Sequence, residues 1–471
     1  MAARGYREIV TLIGTRFDES EARERAMRDR QESESMPVRD NAGHLSLSII
    51  ASWSTDDVWE CISRFMDEGT APFPPIAPAR TFVRLHQLYK DANEGTCTIV
   101  LGEGGNRAAC GARTGCAVCT LSGERDKSME SMIREPQYAH LAGLNRFRNL
   151  LLENQWDLSK RELVGRTISD AGYIRISPDT YSYAYRIQLL RYLLTLDAME
   201  ADRAEQHEAD YVAGRIPRTP ENEELCSPQF EFVTPRKLVA VDFQLSMHHF
   251  CDGAFPAIRE WFNVRTLGRR YHMPAPKTPV PKPAIPVHGW YKVGAFDAEV
   301  PTWGLYSFEA EKWNRYRHSD RSSAYAQSTQ GERMVYFEEA DQMEVDPMDA
   351  NLFVTATFDM QMYQQAQWMD PLESARFWLN EGFLRLPSGM SAVYQNMATR
   401  AQYFRHLAEK LNVTPAELDQ HLIANGISEA QHTLLLRSTA ADDMPLFAVL
   451  DEEPVADHPP TDLFSAEELF A

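Results

Sequence analysis

Four of the chain's seven cysteines fall between Cys97 and Cys119, and this crowding limits the possible folds more than any other feature. Twelve residues separate Cys97 from Cys110, five separate Cys110 from Cys116, and two separate Cys116 from Cys119. Glycines at 102, 104, 105, 111 and 115 let the backbone turn tightly around a compact ion or cluster and aim amides at sulfur. By count, four thiolates suit zinc or an iron-sulfur cluster equally well. Structural zinc sites usually come as two short hairpin pairs, and here only Cys116 and Cys119 form such a pair. The spacing therefore favours iron-sulfur, with zinc as the alternative. Four unrelated core thiols would be the bland reading, since free cysteine packs well in interiors, but this stretch is glycine-rich and weakly apolar. Cys61, Cys226 and Cys251 stand alone and read as core residues.

The chain has 471 residues, enough for two or three domains, and 44% hydrophobic residues provide packed cores. A formal charge of -20 repels phosphate backbones, so any DNA contact must be local or borrowed from a partner. Met1 to Arg16 has no basic segment leading into a long apolar run, and no stretch reaches the roughly 18 apolar residues of a membrane span. The expectation is a cytoplasmic protein with no membrane partner. An odd cysteine count without a signal peptide argues against a disulfide framework and leaves thiols for metal or redox work.

Glu8 to Gly14 is a short β-rich run ending in glycine, and Glu19 to Arg30 is rich in helix formers, predicting strand, turn and helix. At Trp53 to Trp59, Ser54 or Thr55 can cap a helix whose positive end suits Asp56 and Asp57. Helical spacing also fits Leu141, Leu144, Phe147 and Leu151, and later Ile187, Leu190 and Leu194. Met273 to Pro286 is proline-rich and predicts a stiff linker or surface strap. Thr414-Pro415-Ala416-Glu417 predicts a capping box. From Ala440 the acidic composition predicts a disordered tail, whose segment Asp462 to Phe470 could form a short partner-binding helix. His248-His249-Phe250-Cys251-Asp252 carries ligand-type side chains, but consecutive histidines on regular structure point apart, so it reads as structural.

Several motifs recur in one recognisable order. Gly14-Thr15-Arg16-Phe17-Asp18-Glu19-Ser20 with Arg23 resembles the G-x-R-x-x-E-S-x-x-R segment of phosphoadenosine phosphosulfate reductases and their relatives. Trp53-Ser54-Thr55-Asp56-Asp57-Val58-Trp59 resembles that family's W-[ST]-x-x-D-V-W segment. Leu88 to Ala92 leading to Cys97, then Cys110-Gly111, Gly115-Cys116-Ala117-Val118-Cys119-Thr120 and Asp126-Lys127-Ser128-Met129, are similar to the sulfurtransferase component of Dnd-type DNA phosphorothioation systems. The resemblance spans about Ile9 to Leu151.

The resemblance implies an α/β chain. A truncated nucleotide α-hydrolase-like domain of the PP-loop type would occupy residues 1–95, followed by a four-cysteine iron-sulfur segment over 96–165. Beyond lie a mainly helical region over 166–272, a proline-rich linker over 273–289, a mixed then helical region over 290–439 and the acidic tail over 440–471. It further implies a 4Fe-4S cluster on Cys97, Cys110, Cys116 and Cys119, and a nucleotide- or phosphate-binding set of Gly14, Arg16, Glu19, Ser20, Arg23 and Lys127. Arg16, Arg23 and Lys127 would supply positive charge and Glu19 would orient an arginine. The family's S-G-G-x-D-S phosphate loop is absent from this sequence, so ATP would bind only with a completing partner or an upstream segment. Implied partners are other DNA-modification subunits, a cysteine desulfurase as sulfur donor, and DNA indirectly, within a bacterial phage-defence function.

Two other functions compete. A sulfonucleotide reductase would rely on a C-terminal catalytic cysteine, and no cysteine follows Cys251. A noncatalytic metal-binding subunit could engage nucleic acid through Trp261, Phe262, Arg265, Arg269, Arg270 and Tyr271, or through Lys312, Trp313, Arg315, Tyr316 and Arg317, although such mixtures more often pack as core aromatics with solvated arginines.

Overall fold

The computed structural model of the protein describes residues 9–19, 21–40, 43–67, 69–75, 77–92, 118, 120, 125–169, 171–283, 289–292, 304–306, 325–327, 333–335 and 339–442. The chain forms two compact units, Met1–Asn149 and Leu150–Ala471. Both mix helices with small sheets. Among the described residues no helix is long and apolar enough to cross a membrane.

The first unit contains β1 (Val10–Ile13), α1 (Glu21–Asp29), β2 (Val38–Arg39), β3 (Leu45–Ser48), α2 (Thr55–Ser63), α3 (Ala79–Ala92) and α4 (Lys127–Met132), and α5 (Ala142–Asn154) runs across its boundary. The strand, turn and helix expected at the start are present. β1 pairs in parallel with β3 in register Val10 to Leu45 through Ile13 to Ser48, while β2 closes the other side of β3 antiparallel. The expected cap of α2 also forms: Ser54 accepts from the Asp57 amide and the Asp57 carboxylate accepts from the Ser54 amide. α3 and α4 meet through Met129 and Met132, packed against Leu88, Tyr89, Ile133, Tyr138 and Leu141.

The second unit opens with the hairpin β4 (Arg161–Ile168) and β5 (Tyr173–Tyr181), followed by α6 (Tyr183–Val212), α7 (Pro220–Glu224), α8 (Pro235–Ser246) and α9 (Pro256–Arg265). It continues through β6 (Gly289–Lys292), β7 (Tyr325–Gln327), β8 (Arg333–Val335), β9 (Glu339–Ala340), β10 (Glu344–Val345), α10 (Pro347–Leu352), α11 (Met360–Ala366) and α12 (Leu372–Asn380). β11 (Leu384–Pro387), α13 (Ser391–Leu411), α14 (Pro415–Ala424), β12 (Ile427–Ser428) and α15 (Glu429–Asp442) complete it. A four-stranded antiparallel sheet has the order β12-β6-β5-β4. Val164 and Ile174 of this sheet are buried against Tyr403, Phe404 and Ala408 of α13 and Leu418 and Leu422 of α14. A second core surrounds Trp378, where Phe255, Phe353, Phe377 and Phe383 bring ring centroids within 5.4 Å of the indole.

The proline-rich segment is a strap on this unit. Val280 donates its amide to the Glu153 carbonyl at 3.3 Å, Lys277 lies 3.6 Å from Asp157, and the Lys282 ammonium sits 4.9 Å from the Trp156 ring centroid. The chain on either side of it contributes strands β5 and β6 to one sheet. The capping box at Thr414 and Glu417 forms as expected. The acidic tail beyond Asp442 lies outside the described residues.

Gly253 marks a close approach of two backbones. A Cβ there would lie 2.5 Å from the Ala366 carbonyl oxygen, which also accepts the Ala254 amide at 2.8 Å. Gly253→Ala is therefore expected to lower the urea midpoint by the equivalent of about 1–3 kcal/mol, since neither backbone can yield cheaply. An unchanged midpoint would show that the α8–α9 turn and the end of α11 do not need this contact.

Candidate functional site

Arg16 follows the C-terminal end of β1, where α/β folds place ligands. Its guanidinium is mostly buried, with 15% of the side chain exposed, and donates to the Trp53 carbonyl and the Thr55 hydroxyl, each at 3.4 Å. Asp18 is 3.8 Å and Glu19 3.9 Å away. Asp18 also accepts from the Thr55 amide at 2.9 Å, at the start of α2. Glu19 pairs with Arg23 as well, so one carboxylate lies against both arginines. The two resembling motifs, Gly14–Arg23 and Trp53–Trp59, thus meet around Arg16.

Gly14 precedes this turn, and a Cβ there would only touch Ile50 at 3.9 Å. Lys127 is exposed at the start of α4, after the Asp126 cap, and among the described residues no hydrogen bond or ion pair joins it to Arg16 or Glu19. Ser20, Cys97, Cys110, Cys116 and Cys119 lie outside the described residues.

The aromatic-basic cluster on α9 is largely absorbed by packing. Phe262 is buried and stacks on Tyr363 at 4.9 Å, Arg270 is held by Asp202 and the Val264 carbonyl, and Tyr271 lies under Arg191. Its partner cluster at 312–317 lies outside the described residues.

No family model, curated protein or solved structure matches the chain. Among the described residues, the second unit brings together three ligand-type side chains.

There Glu162 on β4 and the adjacent pair His248 and His249 each offer a ligand atom within 4.8 Å of the others. The pair does not point apart, as regular structure would have required. α8 ends at Ser246, and the His248 and Cys251 amides bond back to Leu245 and His248, making a tight turn in which alternation no longer applies. The two imidazoles stack at 4.6 Å, with Phe250 and Tyr183 stacked on His248 at 5.4 and 5.2 Å. The sequence signal that could have found this is the turn-forming Asp252-Gly253 just beyond the pair.

His248 Nε2 lies 2.9 Å from both Glu162 oxygens, and the Phe250 amide donates to Nδ1 at 3.2 Å. An amide pointing at Nδ1 leaves the ring proton on Nε2, donated to the carboxylate. Burial drives the His248 pKa down against the pull of Glu162, keeping the ring neutral. Burial opposes the charge on Glu162, but the His248 bond and Arg186, 3.5 Å away, hold its carboxyl below the usual range. His249 is 1% exposed. Its Nε2 lies 3.3 Å from Asp419 of α14, and its buried Nδ1 has no hydrogen-bond partner among the described residues. Cys251 nearby is a poor nucleophile, because burial pushes its thiol up to about 11.

Proposed function

We propose that this chain is an iron-sulfur, sulfurtransferase-like component of bacterial DNA sulfur modification, related to the phosphoadenosine phosphosulfate reductases. The observation that carries the reading is the four-cysteine segment Cys97, Cys110, Cys116 and Cys119, following the Gly14–Arg23 and Trp53–Trp59 motifs in the order of that family. The meeting of those two motifs around Arg16, beyond a parallel β1–β3 pair, supports it. Arg16 and Arg23, steered by Glu19, would bind phosphate or sulfate oxygens, and the cluster would supply the redox sulfur chemistry when bound.

The sulfur would come from a cysteine desulfurase, and the nucleotide loop from a completing chain or segment. β1 offers that half a surface: it lies at the edge of its sheet, and Val10 and Leu12 are 39% and 63% exposed. A second reading, a noncatalytic metal-binding subunit, is favoured by the carboxylates of Asp18 and Glu19 that already flank Arg16.

Anaerobic purification followed by iron, zinc and acid-labile sulfide analysis separates the two. The expected result is about four iron and four sulfide per chain, a visible absorption bleached by dithionite, and loss of all three in Cys116→Ser. Zinc in place of iron, lost on the same substitution, would make the site structural and favour the noncatalytic subunit. Cysteines that hold no metal would overturn both.

A further inference from the structure

We propose that Glu162, His248 and His249 form a second metal site, one that takes a divalent transition-metal ion of the zinc class, independent of the four cysteines. Two imidazoles and a carboxylate are the donor set that zinc and its neighbours accept while leaving a position open for water or substrate. The three ligand atoms lie within 4.8 Å of one another, and ligands on one ion at about 2.0–2.2 Å stand roughly 3.0–3.5 Å apart, so the site closes by about an ångström on binding.

The decisive atom is His249 Nδ1. It is buried and has no hydrogen-bond partner among the described residues, which leaves its desolvation uncompensated there. Asp419 on the opposite ring nitrogen completes the carboxylate–histidine arrangement that holds a metal ligand in the correct tautomer. When His248 Nε2 takes the ion, the ring hydrogen shifts to Nδ1 and the 3.2 Å bond from the Phe250 amide opens. The stacked rings of Tyr183, His248 and Phe250 leave the imidazole little freedom to turn away.

Arg186 is the competing cation. It sits 3.5 Å from Glu162, with 34% of its side chain exposed, so an incoming ion displaces it towards solvent. A purely structural Glu162–His248 pair would weaken on losing Arg186. A metal site would bind its ion more tightly.

The test uses the full chain with Cys97, Cys110, Cys116 and Cys119 all replaced by serine, stripped with chelator and titrated with Co²⁺ and then Zn²⁺. One Co²⁺ per chain is expected, with visible bands lacking thiolate charge transfer and bleached by Zn²⁺. His249→Gln is expected to abolish binding, and Arg186→Met to tighten it by about tenfold or more, the repulsion of one nearby charge. If the serine chain does not fold, X-ray absorption on the Zn²⁺-loaded native chain replaces it, with a separate nitrogen and oxygen shell expected that His249→Gln removes. Absence of a bound ion in the serine chain, or of that shell in the native one, would overturn the proposal, as would binding undiminished in His249→Gln. None of these outcomes depends on iron or sulfide at the cysteines, so this site and the sulfurtransferase reading stand or fall separately.

Discussion

Asp242→Ala is expected to destabilise the second unit by about 3–6 kcal/mol, a large share of the stability of an ordinary domain. The carboxylate is fully buried, and three donors converge on it. The amides of Ala257 and Ile258 reach Oδ1 at 2.8 and 3.2 Å, and the Trp378 indole N–H reaches Oδ2 at 2.8 Å. α9 starts after Phe255, which adopts the left-handed conformation and offers no capping oxygen, and Pro256 has no amide to satisfy. The next two amides would be orphans, and Asp242 caps them from α8. Alanine leaves all three donors dry, and chemical denaturation followed by circular dichroism reads the loss.

Burial pushes the Asp242 carboxyl up to about 6, outweighing the three hydrogen bonds that pull the other way. Its unfolded value is about 3.9, so the stability linked to this group is fully present below that pH and lost as pH rises through about 6. Acidifying from pH 7 to 4 should therefore favour the native chain over Asp242→Asn by up to about 3 kcal/mol. Asp197, also raised to about 6 by burial, titrates in the same direction and in both proteins, so it cancels from the difference. A difference that is flat with pH, or a cost below about 1 kcal/mol for alanine, would show that another group caps α9.

Trp378→Ala is the second large effect, with an expected loss of about 3–5 kcal/mol for the emptied volume. The indole is fully buried among Phe255, Phe353, Phe377 and Phe383, with centroids 4.9 to 5.4 Å away. Trp378→Phe keeps most of that packing and removes only the donor to Asp242, an expected cost of about 1.5–3 kcal/mol. The two sites share one bond, so Asp242→Ala combined with Trp378→Phe should cost measurably less than the sum of the single changes. Strict additivity would mean that the indole bond contributes nothing.

Local signals explain what could be read from the sequence. Ser54 and Asp57, or Thr414 and Glu417, lie three residues apart and specify their caps without help from the rest of the chain. The β1 turn was equally plain, and so was the proline run as a surface strap. Sequence distance hid the remainder. β9, β10 and β12 are two-residue strands defined only by partners found elsewhere, and such pieces carry no periodicity. Asp242 looks like an ordinary helical acid until α9 and α12 are folded around it. The histidine rings stack rather than diverge because divergence of neighbours holds in helices and strands, whereas these residues sit in the turn that ends α8. Glu162 and Asp419, which give the pair its chemistry, are 86 and 170 residues away from their histidines.

The sheet order β12-β6-β5-β4 also sets a schedule for synthesis. β6 is made at residues 289–292, but its outer neighbour β12 comes at 427–428. A ribosome adding about 5–20 residues per second needs roughly 7–27 s for the intervening 135 or so. Throughout that interval the nascent chain carries the edge of β6, with its own Trp290 and Tyr291, still without β12, a natural target for a chaperone and a point of entry for aggregation if translation stalls.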